Sequence, residues 1–496
     1  MVDKERQVDF ASRKVESGLQ VEGSQLVRRV LLLLLTLLLL ILAGCSLLEE
    51  PPQPVIPTPI PTAPPLPQTG DGIPAEQVTD PVSDIVPSVD PEILDLINAV
   101  SQQQLTAYVQ TLEGFGTRNS FSALDREDRG IGAARNWIYS EFERVGNGRL
   151  QVAFDEFLLS YNGMSADQKN VVATLPGTGR SNGVIIVMAH YDSRGVDEMD
   201  GFSTNTAAND NASGVALLLE TARVLSSREW NQTIMFIAMA AEEQGTYGSR
   251  HFAQNAFLDN LNVLAVVNYD AVGGRLGIPQ LARLFAQDVR QSPAGELSRY
   301  YEYIGGHYLP TFPVIVIDAL DREGRYGDHR EFIHLGMPAV RVMESEEDER
   351  LLNSVRDTWS LIDYSYHQKL AQLNVAFLAN AAGAPPPPVQ PTIVALADPG
   401  TYLLTWPVEP GAAGYAISFR PIGSAIYEPF RFVRAENAGN VVLTGYDPDT
   451  TYAVSIAALS ANGRLGLFTR ELIVGPLPDT TNLSLNDGST IEQTAQ

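Results

Sequence analysis

Three uninterrupted apolar runs, at residues 184–189, 234–240 and 263–267, constrain this chain more than any other feature. Runs this short, β-rich and without polar alternation are how strands buried on both faces of a parallel sheet read. Each is followed by groups able to hold a metal: His190 and Asp192, then Glu242 and Glu243, then Asp270. Asp210 opens a helix-patterned segment between the first two runs, in which Val215, Leu218, Leu219, Ala222 and Leu225 share one face. Asp210 or Asn211 is placed to cap that helix. In open α/β sheets ligands sit beyond the carboxyl ends of the strands. One imidazole and several carboxylates, distant in sequence, are therefore expected at one mouth. The expected fold class is α/β, a mostly parallel mixed sheet with helices on both faces.

Around this centre the 496 residues divide by composition. Residues 1–45 end in Arg28-Arg29, a leucine-rich run and Leu42-Ala43-Gly44-Cys45. The run is short for a membrane span and suits a signal-peptide core. The last four residues resemble a bacterial lipobox, with Cys45 acylated as the mature N-terminus. An extracytoplasmic, membrane-anchored lipoprotein is expected, with a single-pass signal anchor as the alternative. Residues 46–90 are rich in Pro, Thr, Gln and Asp and read as an extended tether. A folded domain is expected over 91–383, with helices over 91–112 and 130–145 and strands over 150–157, 170–175, 312–317 and 339–343. Residues 384–391 read as a Pro-rich hinge, and 478–496 as a polar tail without fixed structure.

Residues 392–477 carry short β-patterned segments between turn residues, as in a small sandwich. Around Trp406, 414–419 and 451–456 they resemble fibronectin type III strands, with Trp406 as core tryptophan and Tyr452 as corner tyrosine. Such a module takes a carbohydrate or protein ligand. Formal net charge is 34 − 59 = −25, which argues against nucleic acid as a partner. Cys45 is the single cysteine, so neither an internal disulfide framework nor a cysteine zinc cluster is available. Gly179-Arg-Ser-Asn-Gly183 matches the nucleophile pattern G-x-S-x-G. It precedes a strand, whereas that motif needs a strand before and a helix after it.

A catalytic zinc takes N and O ligands and keeps one position open, and two zincs need a bridging carboxylate. His190, Asp210, Glu243 and Asp270 have this chemistry. Glu242, pointing away from Glu243 if the segment is extended, suits a general base. Asp192 can accept from the second ring nitrogen of His190 and fix its tautomer. Taken singly, each group has an ordinary reading: a lone Asp after a strand is more often a turn residue, and a Glu-Glu pair is usually solvated.

The segments AHYDS, NDNASGVA, AAEEQGTYGS and NYDAVG closely resemble the secreted bacterial di-zinc aminopeptidases of metallopeptidase family 28, over about residues 94–378. The resemblance implies that His190 and Asp270 bind one zinc, Asp210 bridges to a second held by Glu243, Glu242 is the general base and Asp192 supports His190. Peptide or protein substrates follow. Tyr326-Gly-Asp-His-Arg-Glu-Phe resembles the family's later Ser-Asp-His segment, with Gly327 in place of serine. One departure matters: Asn353 stands where the family's His-Thr-x-x-Asp-Thr supplies the last zinc ligand. An amide oxygen is a poorer zinc ligand than imidazole. The glutamates of 344–349, or His329, His334 or His367, are the candidates to substitute. The expected function is zinc-dependent peptide hydrolysis, as an aminopeptidase. The alternatives are a surface binding protein with a decayed peptidase fold and a single-zinc, glutaminyl-cyclase-like transferase.

Overall fold

The computed structural model describes residues 86–476. The leucine-rich run, Cys45, most of the expected tether and the whole of the polar tail at 478–496 lie outside them. The first part contains helices α1 (Pro91–Asn98), α2 (Gln102–Gly114), α3 (Gly130–Gly146), α4 (Ser213–Leu225), α5 (Tyr247–Leu258), α6 (Pro293–Tyr308), α7 (His329–Ile333) and α8 (Tyr364–Gly383). Its strands are β1 (Gln151–Tyr161), β2 (Met164–Leu175), β3 (Val184–His190), β4 (Thr233–Met239), β5 (Val263–Tyr269), β6 (Ala282–Ala286), β7 (Val314–Asp318) and β8 (Ala339–Glu344). They form one sheet in the order β1-β2-β4-β3-β5-β8-β6-β7. β3 runs parallel to β4 and β5, β5 to β8, and β6 to β7; the other neighbours are antiparallel.

Side chains of a strand alternate between the sheet's faces. Ile185, Val187 and Ala189 of β3 join a core with Leu105, Ile138, Leu218 and Leu370 from α2, α3, α4 and α8. Val184, Ile186 and Met188 join the opposite core with Ala253 of α5 and Phe332 of α7. A strand covered on both sides has no position left for a polar residue, which is why the run has none. The mixed α/β class follows from this two-sided cover.

Two expectations hold with shifted bounds. The strands expected over 150–157 and 170–175 are parts of one long hairpin, β1–β2, turning at Asn162 and Gly163 with φ 46° and 82°. Two successive positive φ values are what a two-residue hairpin turn requires, and Asn-Gly is its preferred dipeptide. Residues 88–90, assigned to the tether, are bound to the fold: the Ser88 amide donates to Gly463 O (3.1 Å) and Asp90 is buried. At the G-x-S-x-G match, the Gly179 amide donates to Asn231 O at 3.1 Å, and a Cβ there would lie 2.4 Å from that oxygen. Glycine is needed for close backbone approach at that point.

The C-terminal β region is built from β9 (Thr392–Ala395), β10 (Tyr402–Thr405), β11 (Gly414–Pro421), β12 (Arg431–Arg434), β13 (Asn440–Leu443), β14 (Tyr452–Leu459), β15 (Leu465–Phe468) and β16 (Leu472–Val474). One sheet runs β13-β10-β9; the other runs β12-β11-β14-β15, with β16 on β14. Trp406, Tyr415, Tyr452 and Ile456 sit in the core between them. The outer residues Ala416, Ala457, Leu459, Leu465 and Leu467 belong instead to the α/β core. Buried polar bonds cross the same junction. Tyr300 of α6 donates to Leu465 O at 2.6 Å, Arg299 pairs with Glu471 at 2.8 Å, and Arg464 pairs with Asp90 at 2.6 Å.

Candidate metal centre

The carboxyl ends of β3, β4 and β5 deliver their chemistry to one place. His190 closes β3, and its Nε2 lies 3.2 Å from Asp210 Oδ1 and 3.5 Å from Asp270 Oδ1. Candidate ligand atoms of His190, Asp210 and Asp270 all fall within 4.8 Å of one another, as do those of His190, Glu242 and Glu243. The imidazole is buried, and its Nδ1 lies 3.2 Å from the main-chain oxygen of Asp192. A carbonyl only accepts, so Nδ1 carries the proton, and in the neutral ring Nε2 offers its lone pair to the two aspartates' side. The Asp192 carboxylate, expected to support this ring, stands 3.6 Å from Nδ1 and also accepts the amides of Glu242 (3.1 Å) and Glu243 (3.0 Å). Asp192 therefore ties the β3 end to the β4 end.

The backbone explains why the carboxylates converge. Ala207, Ala241 and Ala271 all adopt left-handed conformations, with φ of 45°, 57° and 56°. They lie three residues before Asp210, one before Glu242 and one after Asp270. Non-glycine residues held there are uncommon and gather at functional sites. The turn at Ala241 ends the extended segment, so Glu242 does not point away from Glu243; both reach the cluster. Asp210 is likewise freed from capping: Asn211 accepts the Gly214 amide (3.0 Å) and donates to Tyr269 O (2.9 Å). Asp357, from a distant loop, accepts the amides of Asn209 (2.8 Å) and Asp210 (3.0 Å).

Charge in the cluster is strongly interdependent. Burial pushes Glu242 well above the usual carboxylate range, and Glu243, Asp270 and Asp328 add to this against the pull of His190. Burial, then Asp210, raises Glu243 to about 8. Burial acts upward on Asp270 too, but Arg341 and His190 outweigh it and hold that carboxyl well below its ordinary range. So many carboxylates around one neutral-capable imidazole call for a cation. His190 with Asp210 and Asp270 supplies the three N and O ligands of a catalytic zinc site. Glu243 Oε1, buried and without a hydrogen-bond partner among the described residues, is a further donor at the same cluster.

The comparisons with known proteins agree with that chemistry. The profile of "Peptidase family M28" matches residues 170–378. A "Probable zinc metalloprotease" of Pyricularia oryzae is 32% identical over 397 residues, covering 70% of this chain and 79% of its own. The chain belongs to peptidase family M28. It is thus a member of a zinc metallopeptidase family, and zinc is the metal its ligand set fits. A second relative, from Leptosphaeria maculans, is 31% identical over 381 residues, covering 69% of this chain and 88% of its own. These relatives are fungal, whereas the resemblance drawn from the motifs was to bacterial enzymes. The crystal structure of LapA from Legionella pneumophila shares the fold, with a TM-score of 0.50 at 22% identity over 60% of this chain and 78% of that one.

Several groups of this M28 site escaped the sequence reading. Arg341 of β8, 1% exposed, pairs with Asp270 Oδ2 at 2.9 Å and with Asp321 Oδ2 at 2.7 Å. Arg194 pairs with Glu243 Oε2 at 2.7 Å. Asp328 is buried with neither oxygen hydrogen-bonded among the described residues; burial, then Asp192 and Asp270, raise it to about 7 against His190. The Ser-Asp-His likeness marked this segment but gave Asp328 no role. Asn353 lies on a turn with φ 51° and makes no side-chain hydrogen bond to Glu243 or Asp210 among the described residues. Its proposed substitutes are engaged elsewhere. His329 Nε2 faces Leu320 O at 2.7 Å, His367 Nε2 faces Ser213 O at 3.0 Å, and Glu344 accepts from Asn209 and Gly274. Neither those three residues nor His334 joins the metal-capable groups found among the described residues.

Proposed function

We propose that this chain is a zinc-dependent peptidase that removes N-terminal residues from peptides, with Glu242 as general base. The observation that carries the reading is the meeting of His190, Asp210, Asp270 and Glu242 at the carboxyl end of the sheet. His190, Asp210 and Asp270 would hold a zinc ion, which would supply Lewis acidity towards a carbonyl and a water at neutral pH. Glu242 takes the proton of the attacking water and returns it to the leaving amine. Asp192 holds Glu242 and Glu243 through their amides, and Asp357 holds Asp210 through its own. Arg341 fixes one oxygen of Asp270 so that the other meets His190 Nε2.

The test is Glu242→Gln assayed on a panel of aminoacyl anilides and short peptides, with zinc measured in parallel. Loss of turnover with zinc retained is the expected result. Wild-type protein that holds no zinc and cleaves nothing supports the binding-protein reading instead. On sequence grounds we further propose an extracytoplasmic lipoprotein anchored through Cys45. Mass analysis of the N-terminus in the membrane fraction tests this, and an unmodified, uncleaved form refutes it. Among the described residues no helix is long and apolar enough to cross a membrane. For the C-terminal β region we propose a fibronectin type III-like sandwich with a carbohydrate or protein ligand; the sandwich part draws support from Trp406 packed on Tyr415 (centroids 5.2 Å apart). The Tyr452 hydroxyl, accepting the Asp447 amide at 3.2 Å, supports it too.

A further inference from the structure

We propose that the Arg194 guanidinium stands in place of a second metal ion, so that the chain holds one zinc. This rests on the metallopeptidase reading above. A second metal beside Asp210 would need Glu243 and a third ligand. The motif resemblance implies Asn353 at the position of that third ligand, and none of the histidines or glutamates that could substitute for it joins the metal-capable groups among the described residues. Glu243, meanwhile, is already satisfied on one side by a fixed cation. Arg194 Nε donates to Glu243 Oε2 at 2.7 Å, and its NH1 donates to Glu198 Oε1 at 3.1 Å. Glu198 is itself held by the Tyr161 hydroxyl, and the Arg194 carbonyl by the Asn205 amide group. The guanidinium is therefore clamped from several sides. Burial works against its charge, but Glu243, then Glu198 and Asp210, outweigh it, so the Glu243 carboxylate that would attract a second dication already has a counter-ion built into the chain. A dication placed next to it would meet a like charge that cannot be neutralised by losing a proton.

The exchange alters the chemistry in a definite way. A guanidinium cannot make water more acidic by coordination, so that chemistry would rest with the one ion that His190, Asp210 and Asp270 would hold. What it can do is donate to oxygen. Arg194 NH2 has no protein partner among the described residues, and the side chain is 25% exposed against 8% for Glu243. That leaves a charged donor for the carbonyl oxygen of a peptide as it gains negative charge.

Zinc content of the purified full chain, measured by plasma mass spectrometry after dialysis against trace zinc, tests this. One equivalent is expected in the wild type. The variant Arg194→Ala/Asn353→His, which frees Glu243 and restores the imidazole, is expected to hold two. Two equivalents in the wild type overturn the proposal while leaving the peptidase reading intact, as does a folded double variant that stays at one. No zinc in the wild type overturns both. If the double variant does not fold, Asn353→His alone decides: one equivalent supports the proposal, because Arg194 still blocks the position, and two overturn it. Arg194→Lys should keep one zinc and lose about tenfold or less in kcat/KM, whereas Arg194→Ala should lose about 10²–10³-fold. Equal activities of the two variants overturn the donor role.

Discussion

Arg341→Met removes one charge that two buried carboxylates share. Asp321 is 0% and Asp270 5% exposed, and the arginine lies within 2.7 and 2.9 Å of them. Methionine fills much of the same volume and offers neither donor. Taking one partner from a buried ion pair costs about 3–5 kcal/mol, because the other is left uncompensated. The two pairs depend on one guanidinium, so about 4 kcal/mol in total is the reasonable figure. At ~2.1 cal/mol/K per residue, the roughly 390 described residues give an unfolding entropy of about 0.8 kcal/mol/K, and the melting temperature should fall by about 5 °C. Differential scanning calorimetry of the zinc-loaded protein reads this directly. Zinc affinity should fall in the same variant, because Asp270 loses the bond that aims Oδ1 at His190. Adding Asp321→Asn should recover part of the loss, since one of the stranded charges is then gone. A melting temperature within about 1 °C of wild type, or strictly additive losses in the double variant, would refute the reasoning.

Other consequences are equally open to measurement. Asp192→Asn turns one acceptor for the Glu242 and Glu243 amides into a donor, and should cost 10–100-fold in zinc affinity or kcat/KM; a change under threefold argues against its tying role. Burial lowers His367 to about 4, so the unfolded chain, near 6.5, takes up the proton first as pH falls. Its contribution to stability is therefore complete above pH ~6.5 and declines towards pH ~4, with about 2 kcal/mol lost at pH 5. Denaturant melts of wild type and His367→Gln at pH 7 and pH 5 should differ by that amount, and parallel losses contradict it. Ending the chain at residue 391 uncovers core residues around α8 and strands Arg299 and Asp90 without Glu471 and Arg464. The truncated protein should express largely insoluble or melt well below the full chain; a melt within a few degrees of it counts against a shared core.

What could be read from residues alone follows a physical line. The strands β3, β4 and β5 were legible because cover on both faces forces unbroken apolar runs. The ligand cluster was legible because carboxylates and a histidine followed those runs at the end where ligands bind. The hairpin turn at Asn162-Gly163 carried its signal and was passed over. So did α6, where Ser292 accepts the Gly295 amide and Pro293 opens the helix. The supporting charges carried none. Arg194 meets Glu243 across 49 positions, and Asp357 meets the Asp210 amide across 147. Charged residues pattern like any solvated surface until the fold brings them together. The direction of Glu242 was not legible for a related reason: the left-handed turn at Ala241 is imposed by its neighbours, and alanine gives no hint of it.

The C-terminal β unit shares its outer face with the helices beside it, so it cannot swivel as a bead on a string. Its strands are held at a fixed distance and angle from the cluster of His190, Asp210 and Asp270. Lengthening the linker at residues 384–391 would not tune that geometry, as it would in a modular enzyme, without first prising open hydrophobic packing. Changes in what reaches the metal-capable cluster are thus left to the loops that rim the sheet.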